Sequence, residues 1–153
     1  MLSHSSKNTK IYKRKPTLIN KTNLLCKVLK LIKKILIVDD EESIREITKH
    51  HLNKTYENAE IDVAVDGIEG LEKFFSSDYE LLITDITMPK LDGIEMYGMI
   101  RSKGYNPKTI FITGYTANTE KLETILEIFP NTRKLNKPFR MPVLIETISG
   151  LYR

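Results

Sequence analysis

Hydrophobic positions along the chain fall into short apolar runs that alternate with stretches of helical spacing, and from Lys33 onward the alternation is regular. KKILIVDD (33–40) reads as a strand rich in β-branched residues that ends in two carboxylates. A helix is expected from Glu41, with Ile44, Ile47 and Leu52 on one side. Asp39 or Asp40 would cap it, and Glu41–Glu42 would suit its positive end. IDVAV (61–65) is a second strand. Asp66–Gly67 then turns into a helix with Ile68, Leu71, Phe74 and Phe75 at three- and four-residue spacing. LLITDITMPKLDG (81–93) opens on a third strand that ends in a lone acid, Asp85. A Met88–Pro89 break follows, and Asp92–Gly93 starts a helix marked by Met96, Met99 and Ile100 that ends at Lys103–Gly104. KTIFIT (108–113) is the fourth strand. Leu122, Ile125, Leu126 and Phe129 mark a helix that stops before Pro130. A short fifth strand near Arg133–Asn136 precedes Lys137–Pro138, and Leu144, Ile148 and Leu151 line a last helix.

Strands that read as continuous apolar runs are those covered on both faces. With right-handed crossovers, five strands alternating with five helices give an α/β fold, a doubly wound five-stranded parallel sheet. Every strand then ends at one edge, where open α/β sheets bind ligands. The expected domain is 33–153, with a basic extension at 1–32 that is disordered or partly helical.

Composition sharpens this picture in one respect. The formal net charge of +4 averages two unlike pieces: ten of the 24 Lys/Arg and none of the 20 Asp/Glu lie in residues 1–34. Residues 35–153 thus hold 14 bases against 20 acids, a net of −6. Residues 24–32 (LLCKVLKLI) suit either a basic amphipathic helix that touches a membrane or partner, or a helical lead-in packed on the domain. A start site downstream of this stretch is a third possibility. Lysines interrupt the apolar stretch and no small-residue cleavage site follows, which argues against a secretory signal. The single cysteine, Cys26, excludes an internal disulfide and fits a reducing, cytoplasmic compartment. No apolar run approaches the roughly 20 residues of a membrane span.

The chemistry gathers at the expected carboxyl edge. The first strand delivers Asp39 and Asp40, the third Asp85, the fourth Thr113 and the fifth Lys137. Singly, each has an ordinary explanation: a helix cap, a loop acid, a strand filler, a solvated lysine. Together they are harder to dismiss. Two carboxylates about 4 Å apart repel by roughly 4 kcal/mol at a near-surface dielectric. A hard divalent cation with oxygen ligands, such as Mg²⁺, relieves three of them and keeps several waters. A metal ion and an ammonium beside an exposed carboxylate suit transfer of a phosphoryl group onto that carboxylate, with Asp85 as nucleophile. No glycine-rich phosphate loop or GxSxG elbow occurs. His4, His50 and His51 lie away from the edge.

ILIVDDEESIRE, LLITDITMPKLDGIEM, IFITGYT and LNKPF follow one another in the order and spacing of a known family. Over residues 33–153 the chain resembles the receiver domain of two-component response regulators, whose sheet runs in the order 2-1-3-4-5 (flavodoxin-like). The resemblance implies Asp85 as phosphoacceptor. It implies Asp39, Asp40, Asp85 and the backbone carbonyl of Thr87 as ligands of Mg²⁺ (or Mn²⁺), Lys137 as partner of the phosphoryl oxygens, and Thr113 as the hydroxyl that moves toward them. Lys137–Pro138 is implied to be cis, and Thr87 and Tyr115 to tune the lifetime of the aspartyl phosphate. Two features depart from the pattern. Lys134 stands three residues before Lys137, where the family usually keeps an aromatic switch residue. FPNTRK (129–134) also lacks the small Gly–Ala pair common there.

The expectation is therefore a single-domain, stand-alone receiver, not a conventional enzyme. A sensor histidine kinase or phosphotransfer protein would phosphorylate it, it would dephosphorylate itself, and it would signal to a downstream protein. It would be a monomer or a weak, phosphorylation-dependent dimer. One rival reading is a phosphorylation-independent interaction module, supported by Lys134. The other, ranked lowest, is nucleic-acid or anionic-membrane binding through residues 7–34.

Overall fold

The computed structural model describes residue 27 and residues 29–114 and 119–153. Its elements alternate as β1 (Lys34–Val38), α1 (Glu42–Thr55), β2 (Glu60–Ala64), α2 (Gly67–Ser76) and β3 (Leu81–Asp85). They continue as α3 (Gly93–Ser102), β4 (Lys108–Thr113), α4 (Thr119–Ile128), β5 (Thr132–Asn136) and α5 (Met141–Gly150). The strands form one sheet in the order β2-β1-β3-β4-β5, every pair parallel. This is the expected architecture and strand order.

The unbroken apolar runs are explained by two covered faces. Ile35, Ile37, Leu81, Ile83, Ile110 and Ile112 pack with Leu52, Leu144 and Ile148 on the α1 and α5 side. Leu36, Val38 and Leu82 pack with Phe74, Met96 and Ile100 under α2 and α3, and Phe111 with Ile94, Tyr97 and Leu122 beside α4. Each fully buried aliphatic side chain of this kind contributes about 1.5–3 kcal/mol of hydrophobic stabilisation. Lys27 and Leu29–Leu31 are helical. Leu29 packs on the core and Ile32 is wholly buried in it.

Several helix faces differ from the expected ones. On α2 the buried positions are Gly67, Gly70 and Phe74, while Ile68 and Phe75 are exposed. The reason is close approach: a Cβ on Gly70 would lie 2.7 Å from Met96 Sδ and 3.1 Å from both Val38 methyls. The glycine face seats against β1 and α3, and adjacent Phe74 and Phe75 cannot both point inward. Phe75 turns instead onto the ring of Tyr105, 5.6 Å away. Ile47 and Met99 are likewise exposed, because Arg45, Thr48 and Leu52 form the buried side of α1 and Ile94, Met96, Tyr97 and Ile100 that of α3.

Candidate functional site

Four of the five strands deliver side chains to the carboxyl edge. Asp39 follows β1, Asp85 ends β3, Thr113 ends β4, and Lys137 follows β5. One carboxylate oxygen from each of Asp39, Asp40 and Asp85 lies within 4.8 Å of the other two. Asp39 and Asp85 are buried and Asp40 is exposed. The Lys137 ammonium donates to Asp85 Oδ2 at 2.6 Å and to Glu41 Oε1 at 3.0 Å, and pairs with Asp39 Oδ2 at 3.3 Å.

Neither Asp39 nor Asp40 is the N-cap of α1; that residue is Glu41, whose own side chain makes no capping bond. Asp39 is held for another purpose. Its Oδ1 accepts the Glu41 N–H at 2.8 Å, and its carbonyl accepts from the buried Arg45 guanidinium at 2.7 Å. Arg45 and Glu41 are the two contributors that sequence reasoning missed. A helix-borne arginine or glutamate reads as surface, and nothing in the spacing marks either one.

The β3–α3 loop is tied down on both sides. The Thr87 N–H donates to Asp85 Oδ1 at 3.0 Å, and Thr87 itself is exposed. Asp92 opens α3 with a capping box, its side chain accepting from Glu95 N–H at 2.7 Å. Gly93 is required at the next position, since a Cβ there would sit 2.1 Å from the Asp85 carbonyl oxygen. Lys90, at a left-handed φ of 68°, reaches Asp66 Oδ2 at 2.5 Å.

Burial sets the electrostatics. It raises the Asp39 carboxyl above its ordinary range, opposed by the Glu41 N–H and by Lys137 and reinforced by the charge of Asp85. For Lys137 burial acts to lower the pKa. The hydrogen bonds to Asp85 and Glu41 and the charges of Asp85 and Asp39 outweigh it, so the ammonium titrates above its ordinary value. Asp39 Oδ2 is buried and has no hydrogen-bond partner among the described residues, its contact with Lys137 being a longer ion pair. A buried carboxylate oxygen without a hydrogen bond, in an all-oxygen trio, fits a hard divalent cation.

Thr113 is buried at the same edge and its carbonyl accepts the Lys137 N–H at 2.8 Å, but its hydroxyl donates to the Gly114 carbonyl at 2.9 Å and bonds to neither the Asp85 carboxylate nor the Lys137 ammonium among the described residues. Thr113 and Lys137 line a cavity of about 230 Å³ together with Leu122, Glu123, Lys134 and Asn136. Lys134 is exposed and pairs with Glu123 at its rim. The Lys137–Pro138 bond is cis. Tyr115 lies outside the described residues.

Comparison with known proteins identifies the family of the fold. A family model described as the response regulator receiver domain matches residues 35–149. The transcriptional regulatory protein ResD of Bacillus subtilis is 34% identical over 121 residues, 78% of this chain and 48% of that protein. The chain spans about half the length of the curated relatives it matches. Among solved structures, response regulator TrrA of Thermotoga maritima, in complex with Mg(2+)-BeF, is 38% identical with a TM-score of 0.65, covering 78% of this chain and 99% of that one. Chemotaxis protein CheY4 of Vibrio cholerae is 29% identical with a TM-score of 0.67, covering 78% and 98%.

Proposed function

Because the chain belongs to the response regulator receiver domain family of two-component systems, we propose that it accepts a phosphoryl group on Asp85. The donor is a histidine kinase or phosphotransfer protein, and the output is phosphorylation-dependent binding of another protein. The observation that carries this is the Lys137 ammonium 2.6 Å from Asp85, with Asp39 and Asp40 grouped beside the same carboxylate. In the transfer, an Asp85 carboxylate oxygen forms a bond to phosphorus as the phosphorus–nitrogen bond of a phosphohistidine breaks. The electron pair leaves with the imidazole, which takes up a proton.

The chain's own residues supply the setting. The Thr87 N–H fixes one Asp85 oxygen and Lys137 the other. Lys137 also offers positive charge to the transferring oxygens. Asp39, Asp40, Asp85 and the Thr87 carbonyl would hold Mg²⁺ or Mn²⁺. When bound, that ion supplies charge neutralisation for the phosphoryl oxygens. Receiver domains are phosphoacceptors rather than conventional enzymes; loss of the phosphoryl group by self-catalysis, with Thr87 and Tyr115 setting its rate, is part of this proposal. Thr113 would turn from the Gly114 carbonyl toward the phosphoryl group.

One observation favours a second reading. Lys134 is drawn outward by Glu123, which suits an interaction module that binds its partner without phosphorylation. The test is intact-mass measurement after incubation with Mg²⁺ and a small phosphodonor. One phosphoryl adduct is expected on the wild type and none on Asp85→Asn. An unmodified wild type, or an adduct that persists in Asp85→Asn, contradicts the phosphoacceptor reading.

A further inference from the structure

Three carboxylates converge on the Lys137 ammonium: Asp85 at 2.6 Å, Glu41 at 3.0 Å and Asp39 at 3.3 Å. They differ in what the reaction does to them. Asp39 belongs to the acidic trio that suits a cation, and a bound cation takes up its charge. When Asp85 becomes an acyl phosphate its negative charge moves outward to the phosphoryl oxygens. Of the three, Glu41 alone neither belongs to that trio nor reacts.

We propose that Glu41 is a positioning residue for phosphoryl transfer, its carboxylate anchoring the Lys137 ammonium at the mouth of the site while Asp85 passes from carboxylate to acyl phosphate. This rests on the reading of Asp85 as acceptor. A lysine is a point charge on a flexible four-carbon stem, and it holds one place only where several fixed partners confine it. Glu41 is well fixed for that task. Its N–H donates to Asp39 Oδ1, and its carbonyl accepts the Arg45 N–H at 3.0 Å, the bond that opens α1. The residue is therefore set relative to Asp39, and its side chain crosses from the start of α1 to the loop after β5.

A carboxylate beside a lysine is usually a weak surface pair. Here Glu41 is exposed, but the Lys137 side chain is only 19% exposed and is shared with two buried acids. The transfer makes its position matter. As an Asp85 oxygen bonds to phosphorus and the donor leaves with its electron pair, the ammonium must pass from Asp85 to the phosphoryl oxygens. Among the described residues Glu41 is the one ion-pair partner of the ammonium outside the acidic trio, and it holds the ammonium during that passage.

Glu41→Gln keeps the size of the side chain and removes its charge. The measurement is the initial rate of adduct formation by intact mass, with saturating Mg²⁺ and a small phosphodonor. The Mg²⁺ concentration for half-maximal rate and the urea unfolding midpoint are measured alongside. The expected result is a maximal rate lower by about threefold or more, with the Mg²⁺ requirement within about twofold of wild type and an unchanged unfolding midpoint. A smaller fall in rate overturns the proposal. So does a fall accompanied by a changed Mg²⁺ requirement or a lowered midpoint, since Glu41 would then act on the metal trio or on the fold. A wild type that gains no adduct at all defeats the Asp85 reading itself, and the wild-type arm shows that separately.

Discussion

Asp66 serves two partners at once, and its contribution can be measured. Its side chain caps α2 by accepting the Glu69 N–H at 2.9 Å and receives the Lys90 ammonium from the β3–α3 loop. The Lys90 bond first, and the Glu69 N–H second, hold its pKa below the ordinary value of 3.8. A depressed carboxyl pKa stabilises the fold fully above that ordinary value, and the contribution is lost as pH falls through the folded-state pKa. Asp66→Ala should therefore cost about 1 kcal/mol at neutral pH, with the difference from wild type shrinking once the pH falls below 3.8. Urea denaturation on both sides of that value checks it; an equal difference at both would contradict the assignment. Lys134 is a contrasting case. Its pair with Glu123 is exposed at both ends, and Lys134→Ala should change stability by less than about 1 kcal/mol in the same assay.

At the scale of elements, the site depends on how closely α3 approaches β3. The Gly93 Cα faces the Asp85 carbonyl at a distance that admits no side chain, so Gly93→Ala must push the helix start away from the strand that carries Asp85. About 1–3 kcal/mol of destabilisation is expected from overpacking, read by urea denaturation, together with slower phosphoryl uptake. A variant as stable as wild type would mean that the loop yields without strain. The same close approach explains why helix faces were only partly legible in the sequence. Apolar spacing nominates Ile68 and Phe75 on α2 as readily as Leu71 and Phe74, which do pack on the core, because glycines carry no apolar signal. Gly67 and Gly70 face inward for steric reasons that become visible only when the Leu91 carbonyl and the Val38 methyls are in place. Strand runs such as KILIV and LLITD were legible because both faces of each strand are covered, so their central positions are apolar on either side.

For the whole molecule, the parallel sheet makes one edge the meeting place of all five strand ends, and Asp39, Asp40, Asp85, Thr113 and Lys137 were readable from their positions after apolar runs. Glu41 and Arg45 were not, since their roles depend on contacts that cross from α1 to β1 and β5. Burial leaves Asp39 with a raised pKa, so in the absence of a cation its ionisation above that pKa weakens the fold. Mg²⁺ should raise the thermal midpoint by mass action, more at neutral than at acidic pH, and Asp39→Asn should lose most of the rise. Scanning calorimetry with and without the ion measures this, and a midpoint indifferent to Mg²⁺ would contradict the metal trio. The most direct test of the central claim locates the phosphoryl group on the chain. An acyl phosphate is reduced by borohydride to the alcohol, so protein phosphorylated with Mg²⁺ and a small phosphodonor should yield a peptide with homoserine in place of Asp85. Homoserine at another acid, or none in protein that has gained phosphoryl mass, would contradict it.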